Sequence, residues 1–192
     1  MAKIKKLAST FPNMLLVLTI AAVGSALALG FTYSLTKEAR AMVEVKRTLA
    51  GIKKVLPEFD NKPSEEKYTV EGFEGLEFYP ASKEGQPVGT AVKSFSEKGF
   101  TEDVWIMVGF DGDRKIYNVS VLKHKETPGL GSKMSGPRFK DQFKGKDPAA
   151  FTLSVKKDGG DVDAISAATI SSRAFCDAVS KAYQAISRGG KK

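Results

Sequence analysis

A chain of 192 residues and 20.7 kDa has room for one folded domain and an additional membrane anchor. Hydrophobic residues make up 42% of the chain and charged residues 27%, which excludes a wholly disordered protein. The formal net charge is +8, but the basic residues are scattered among acidic ones without a recognition motif. We therefore expect no nucleic acid as partner, and some affinity for anionic lipid headgroups.

The N-terminal segment predicts a single membrane-spanning helix at residues 11–36, behind a short basic tail at residues 1–10. No charged residue occurs between Leu7 and Thr36, and about 20 apolar residues are enough to cross a bilayer as a helix. A cleaved signal peptide is the competing interpretation, because Ala26-Leu27-Ala28 fits a cleavage site. The uncharged run continues well beyond Ala28, which favours a retained anchor.

Residues 37–66 predict a juxtamembrane helix followed by a linker. From Glu38 to Leu56 the apolar residues recur at helical spacing, and Pro57 ends the run. These apolar residues are Met42, Val45, Leu49, Ile52 and Leu56. The stretch from Asp60 to Lys67 is polar and rich in turn-forming residues, as expected of a linker.

Residues 67–188 predict one folded domain of class α+β, followed by a disordered tail at residues 189–192. Strands are predicted at 76–79, 88–95, 103–110 and 115–123, with a hairpin turn at Asp111-Gly112-Asp113. The alternation of Phe151, Leu153 and Val155 predicts a further strand, and helices are predicted at 137–143 and 171–187. Strands joined by hairpins form a mainly antiparallel sheet on which the helices pack.

The stretch Asp163 to Thr169 lies where a short strand-like run meets the last helix. A helix N-terminus presents unpaired N–H groups and a positive dipole end, which suit a phosphate. The small residues Ser166, Ala167 and Ala168 let a ligand approach the backbone, while Thr169 and Ser171 offer hydroxyls. The alternative is a simple helix cap, since Ser and Thr are preferred there. The residues alone leave both interpretations open.

The turn Glu126-Thr127-Pro128-Gly129-Leu130-Gly131 follows the last predicted strand. Proline fixes one backbone angle and glycine permits positive φ, so the segment is either an ordinary turn or a ligand loop.

The remaining candidates for chemistry are single residues. His124, the only histidine, lacks a catalytic partner or a metal-ligand set, and we expect it to be solvated. Cys176, the only cysteine, excludes an internal disulfide and is expected to be buried. Trp105 and Tyr117 are aromatic strand residues that could flank a planar ligand or belong to the core.

Two of these segments together carry a resemblance to a known family. Asp163-x-x-Ser166-x-Ala168-Thr169 resembles the flavinylation motif of FMN-binding domains in the G subunit of Rnf complexes and the C subunit of sodium-pumping quinone reductases. The usual pattern has glycine where this chain has Ala167. The segment Glu126 to Gly131 is similar to the glycine-rich turn of the same family.

The resemblance implies a cofactor, FMN, esterified through its phosphate to Thr169 by a separate flavin transferase. Asp163 and Ser166 would then serve recognition or capping. The implied cofactor-binding residues are Ser166, Ala167, Ala168, Thr169, Ile170, Ser171, Glu126, Thr127, Gly129, Leu130 and Gly131.

The resemblance also implies an electron-transfer subunit of an Rnf-type ion-translocating ferredoxin:NAD oxidoreductase complex, rather than a catalyst by itself. Its partners would be the other subunits, the flavin transferase and membrane lipid. It would be a single-pass protein of the inner membrane with the FMN domain on the periplasmic side. The alternatives are a quinone-reductase C subunit, a free-standing extracytoplasmic flavin carrier, and a non-redox anchored binding module.

Overall fold

The computed structural model of the chain describes residues 10–189. It begins with a long helix, α1 (Phe11–Val55), and continues with the strands β1 (Glu77–Lys83), β2 (Gln86–Ser96), β3 (Val104–Phe110) and β4 (Ile116–Lys123). A short 3-10 helix (Gly131–Ser135), α2 (Pro137–Lys140), two further 3-10 helices (Asp141–Phe143 and Lys156–Asp158) and α3 (Thr169–Gly189) complete the described chain. The chain divides into two compact units between Val45 and Lys46.

Helix α1 contains both the predicted anchor and the predicted juxtamembrane helix in one uninterrupted run of 45 residues. A window of 18 residues in α1 has a mean hydropathy of 2.3, and none of it is buried, so the helix is long and apolar enough to cross a membrane. In the second part of the helix the predicted apolar stripe is buried only at its end. Met42 remains 65% exposed, whereas Ile52 is 1% exposed.

Two of the predicted segments fall largely outside the described residues. The predicted tail at residues 1–10 is represented only by Thr10, and the predicted disordered tail at residues 189–192 only by Gly189, which is the last residue of α3.

The four strands form one antiparallel sheet in the order β1-β2-β3-β4. Each strand pairs with its neighbour in sequence, as expected of strands joined by short turns. At the turn between β3 and β4, the Asp111 carboxylate accepts hydrogen bonds from the N–H groups of Asp113 and Lys115. The α+β class and the mainly antiparallel sheet are therefore confirmed, and the strands differ from the predicted ones by a few residues at their ends.

Side chains alternate between the two faces of the sheet along each strand, so both faces present residues for packing. A helix covers each face. On one face Phe78, Val92 and Ile106 belong to the main core, together with Phe175 and Val179 of α3. On the other face a smaller core unites the end of α1 with the sheet. Its members are Ile52, Val55, Leu56, Tyr79, Ala81, Ala91 and Met107.

The predicted strand at residues 151–155 is wrong. Only Val155 pairs, in a single parallel bridge with Val162. The N–H of Thr152 is bonded to the Asp161 carboxylate instead, at 2.7 Å, and the N–H of Ser154 to the carbonyl of Thr152. The alternating apolar residues of this segment pack against the main core from an irregular loop, which imitates the pattern of a strand.

The end of α1 approaches β3 so closely that Gly109 has no space for a side chain. A Cβ at this position would lie 2.6 Å from the carbonyl carbon of Val55 and 3.0 Å from its Cβ. The side-chain amide of Asn118 donates to the Lys54 carbonyl at 2.9 Å and fixes the same helix end.

We predict that Gly109→Ala lowers the free energy of unfolding by about 1–3 kcal/mol, because the added methyl group forces the end of α1 away from the sheet. Urea unfolding of the purified chain measures this loss. The matched control is Gly112→Ala in the β3–β4 turn, where an added Cβ meets no atom within 4 Å. Equal effects of the two substitutions would refute the close packing.

Candidate functional site

The segment before α3 folds into a tight turn that is tied to the helix. The N–H of Ala168 donates to the Ile165 carbonyl at 2.9 Å, and Ala167 has φ of 60°. The Ser172 hydroxyl accepts the N–H of Ile165 at 2.9 Å and donates to the Ala168 carbonyl at 3.0 Å. One side chain of α3 thus joins both ends of the turn and fixes where the helix begins.

Helix α3 starts at Thr169 without a capping side chain. The Ala168 carbonyl accepts the first helical N–H bond, from Ser172, so Ala168 occupies the cap position and offers no side-chain oxygen. Within residues 10–189, no side-chain hydrogen bond involves the hydroxyl of Ser166 or Thr169. The simple capping interpretation of these two hydroxyls therefore fails.

Asp163 lies on the surface and does not cap the helix either. Its carboxylate pairs with Lys156 at 2.9 Å. Its backbone is held by the Gln142 amide, which accepts the N–H of Asp163 at 2.8 Å and donates to its carbonyl at 3.2 Å. These two hydrogen bonds fix the backbone where the chain enters the turn.

The structure brings the two predicted ligand segments together along one cleft of about 290 Å³. Nine of the eleven predicted site residues line it: Glu126, Thr127, Leu130, Gly131, Ala167, Ala168, Thr169, Ile170 and Ser171. Gly129 is not among the lining residues, and Ser166 instead lines a neighbouring cavity of about 460 Å³ that also contains Lys133 and Arg138. Phe100 lines the cleft as well, and sequence reasoning missed it.

Glu126 connects three segments around this cleft. Its side chain is buried, and one carboxylate oxygen accepts the Ser171 hydroxyl at 2.5 Å while the other accepts the N–H of Phe100 at 2.8 Å. Gly131 packs directly against this pair, since a Cβ there would lie 2.7 Å from the Glu126 carboxylate. Gly129 has a different reason to be glycine, namely its φ of 77°.

The walls of the cleft are apolar and exposed. Phe100 is 65% exposed, Leu130 40% and Ile170 47%. Among the described residues after Leu49, Tyr117 is the only other large hydrophobic side chain with such exposure. Three of these four residues converge on one cleft, and this arrangement indicates a site for an apolar ligand surface.

The other candidates do not line the cleft. Trp105 stacks on Phe95 with ring centroids 4.7 Å apart, and Tyr117 lines a separate cavity beside Lys53. His124 is half-buried rather than fully solvated, and its Nδ1 accepts the N–H of Glu126 at 3.2 Å. Cys176 is buried as expected, and burial raises the pKa of its thiol to about 12. Across residues 10–189, no group of three or more His, Cys, Asp or Glu side chains could hold a metal ion.

The α+β domain that carries this apolar cleft is an FMN-binding domain, as its match to a family model shows. Residues 99–184 match the family model described as FMN-binding domain, an interval that contains all eleven predicted site residues. The chain belongs to the family of the G subunits of ion-translocating oxidoreductase complexes, which confirms the predicted resemblance.

The relatives that show this family match most of the chain. The G subunit of the complex in Aliivibrio fischeri strain ES114 is 33% identical over 187 residues, covering 91% of this chain and 89% of the relative. The corresponding protein of Stutzerimonas stutzeri is 37% identical and covers 87% of this chain and 76% of the relative.

A crystal structure of Shewanella oneidensis NqrC aligns with a TM-score of 0.44 at 22% identity, over 62% of this chain and 61% of that one.

We predict that Ala167→Gly stabilises the protein. A left-handed residue other than glycine costs about 1–2 kcal/mol, part of which is offset by the greater freedom of glycine in the unfolded chain. The net gain in the free energy of unfolding is about 0.5–1 kcal/mol. The control is Ala164→Gly, an exposed alanine of the same segment without positive φ, where we expect no gain. A loss at position 167 equal to that at 164 would contradict the strained turn.

Proposed function

We propose that this chain is an electron-transfer subunit that carries FMN covalently, through a phosphoester with the hydroxyl of Thr169, with the flavin ring in the cleft of about 290 Å³. The observation that carries the proposal is the juxtaposition of an uncapped helix start with three exposed apolar walls. The helix start suits a phosphate, and the walls suit a planar ring. Bound FMN supplies redox chemistry that the side chains of the cleft do not provide.

The surroundings of the hydroxyl groups favour Thr169 as the attachment point. Ser171 and Ser172 are buried, and their hydroxyls are engaged with Glu126 and with the turn before α3. Ser166 is exposed but does not line the cleft. Thr169 alone among these four residues lines the cleft, is partly exposed, and has a hydroxyl outside the hydrogen bonds of residues 10–189.

Attachment by a separate flavin transferase fits the chemistry of this site. A threonine hydroxyl is a weak nucleophile unless a base activates it. In the described part of the chain no side chain accepts a hydrogen bond from the Thr169 hydroxyl, so these residues offer no such base. Asp163 and Ser166 are exposed in the segment that precedes Thr169, where a transferase could recognise them.

We further propose that the chain works in an Rnf-type ferredoxin:NAD oxidoreductase complex of the inner membrane, with the other subunits as its electron donors and acceptors. The support is that its relatives are named as G subunits of ion-translocating oxidoreductase complexes. Residues 11–36 contain no Asp, Glu, His, Lys or Arg that could relay ions, so this segment serves as an anchor in lipid. We place the domain on the periplasmic side, as the family resemblance implies. The basic residues that follow the span do not oppose this orientation, because long domains translocate largely regardless of their charge.

We predict that Thr169→Ala abolishes covalent flavin while the fold persists. The protein is produced together with a flavin transferase, denatured, and inspected on a gel under ultraviolet light. The wild-type band should fluoresce, and its intact mass should rise by one FMN less one water. Thr127→Ala is the matched control, because Thr127 is the other threonine that lines the cleft and should leave the adduct intact.

Two results would decide against this proposal. An adduct that survives in Thr169→Ala would mean that another hydroxyl is the acceptor. A wild-type protein that stays unmodified despite an active transferase would remove the covalent flavin and leave a membrane-anchored binding module.

We predict that the domain is labelled from outside the cytoplasmic membrane. Ala150→Cys introduces a thiol at an exposed position. The native Cys176 should not react, because it is buried and the pKa of its thiol is raised to about 12. A membrane-impermeant maleimide should label Ala150→Cys in intact spheroplasts. Lys3→Cys in the N-terminal tail is the control and should react only after lysis. The reverse pattern would place the domain in the cytoplasm.

A further inference from the structure

We propose that Glu126 is a positioning residue that sets the spacing of the cleft walls, and that its negative charge lowers the reduction potential of the flavin. The inference rests on the proposed function. Each carboxylate oxygen of Glu126 is already bonded to a different part of the chain, so this residue does more than contact the ligand.

The positioning role follows from which segments the carboxylate joins. Phe100 donates its N–H to Glu126 at 2.8 Å and contributes the first apolar wall. Leu130 is on the same loop as Glu126 and contributes the second, and Ile170 contributes the third next to Ser171. Since Ser171 donates its hydroxyl to Glu126 at 2.5 Å, one side chain sets the distances between all three walls.

The same contact stabilises the start of α3. The first turn of this helix contains no acidic residue of its own. Glu126 supplies a carboxylate from another segment, at the third residue of the helix, where the positive dipole end favours a negative charge. Thr169 is two residues away from this contact, so its position depends on the same bond.

The electrostatic role follows from the absence of a neutralising cation. Glu126 is only 5% exposed, and within residues 10–189 it forms no salt bridge with Lys, Arg or His. The N–H of Phe100 and the hydroxyl of Ser171 each donate a hydrogen bond to one of its two carboxylate oxygens. A negative charge at a poorly solvated wall repels an electron added to a ring in the cleft, which makes reduction harder.

Three variants separate the two roles. Glu126→Gln keeps the shape, since its amide oxygen accepts from Phe100 and its NH₂ group donates to the Ser171 oxygen, but it removes the charge. Glu126→Ala removes both contacts. Glu102→Gln is the matched control, because Glu102 is an exposed glutamate paired with Lys125 and does not line the cleft.

The full-length chain, produced with a flavin transferase, is examined by redox titration followed through the flavin absorbance. We expect Glu126→Gln to be flavinylated as fully as the wild type and its reduction potential to shift to a more positive value. Glu102→Gln should retain the wild-type potential. A Glu126→Gln potential equal to that of the wild type would overturn the electrostatic role.

The positioning role has a readout that needs no flavin. In protein made without the transferase, Glu126→Ala should lower the melting temperature more than Glu126→Gln does, and in flavinylated protein it should increase quenching of flavin fluorescence by iodide. Unchanged melting and unchanged quenching in Glu126→Ala would overturn this role. If the wild type acquires no flavin at all, the proposed function fails instead, and the melting temperatures still decide whether Glu126 holds the cleft.

Discussion

The hydrogen bond that Ser171 donates to Glu126 connects residues 45 positions apart in the chain, and the cleft depends on it. On one side of the bond is the loop that follows β4, and on the other is the first turn of α3. Neither segment forms a site alone. The sheet supports the arrangement, because α3 is fixed across it by the Ser94 hydroxyl, which donates to the Ala178 carbonyl at 2.7 Å, and by Ser96, which donates to Asp177 at the same distance.

Small residues have three distinct physical roles at this site. Gly129 is needed for its backbone conformation, whereas Gly131 is needed because a side chain there would collide with Glu126. Ala167 adopts a left-handed conformation, with φ of 60°, that glycine would adopt at less cost. The turn keeps this conformation despite the methyl group because Ser172 bonds both of its ends. The strain at Ala167 is thus balanced by contacts from the helix that the turn introduces.

The sequence allowed prediction of those features that depend on neighbouring residues. Periodicity located the four strands and α3, whereas turn and cap chemistry left the two candidate ligand segments open until the family resemblance singled them out. The failures have physical causes as well. The loop around Phe151 has the apolar alternation of a strand because its apolar residues pack against one core. No local sequence pattern marks Phe100 as a cleft residue, because its N–H is bonded to Glu126, 26 positions away. Similarly, no local pattern shows that Gln142 bonds the backbone of Asp163 across 21 positions.

The segment after α1, predicted as a linker, is part of the folded domain in structural terms. The Asn61 side chain donates to the Pro80 carbonyl at 3.0 Å and accepts the N–H of Ser82 at 3.0 Å, so it is fixed along β1. Immediately before it, Ile52, Val55 and Leu56 complete the second core against the sheet. Releasing this connection would expose those apolar side chains and break the Asn61 bonds, which costs free energy on both counts. The final turns of the helix and the sheet that supports the cleft therefore behave as one structural unit, and the residues between them do not act as a flexible spacer.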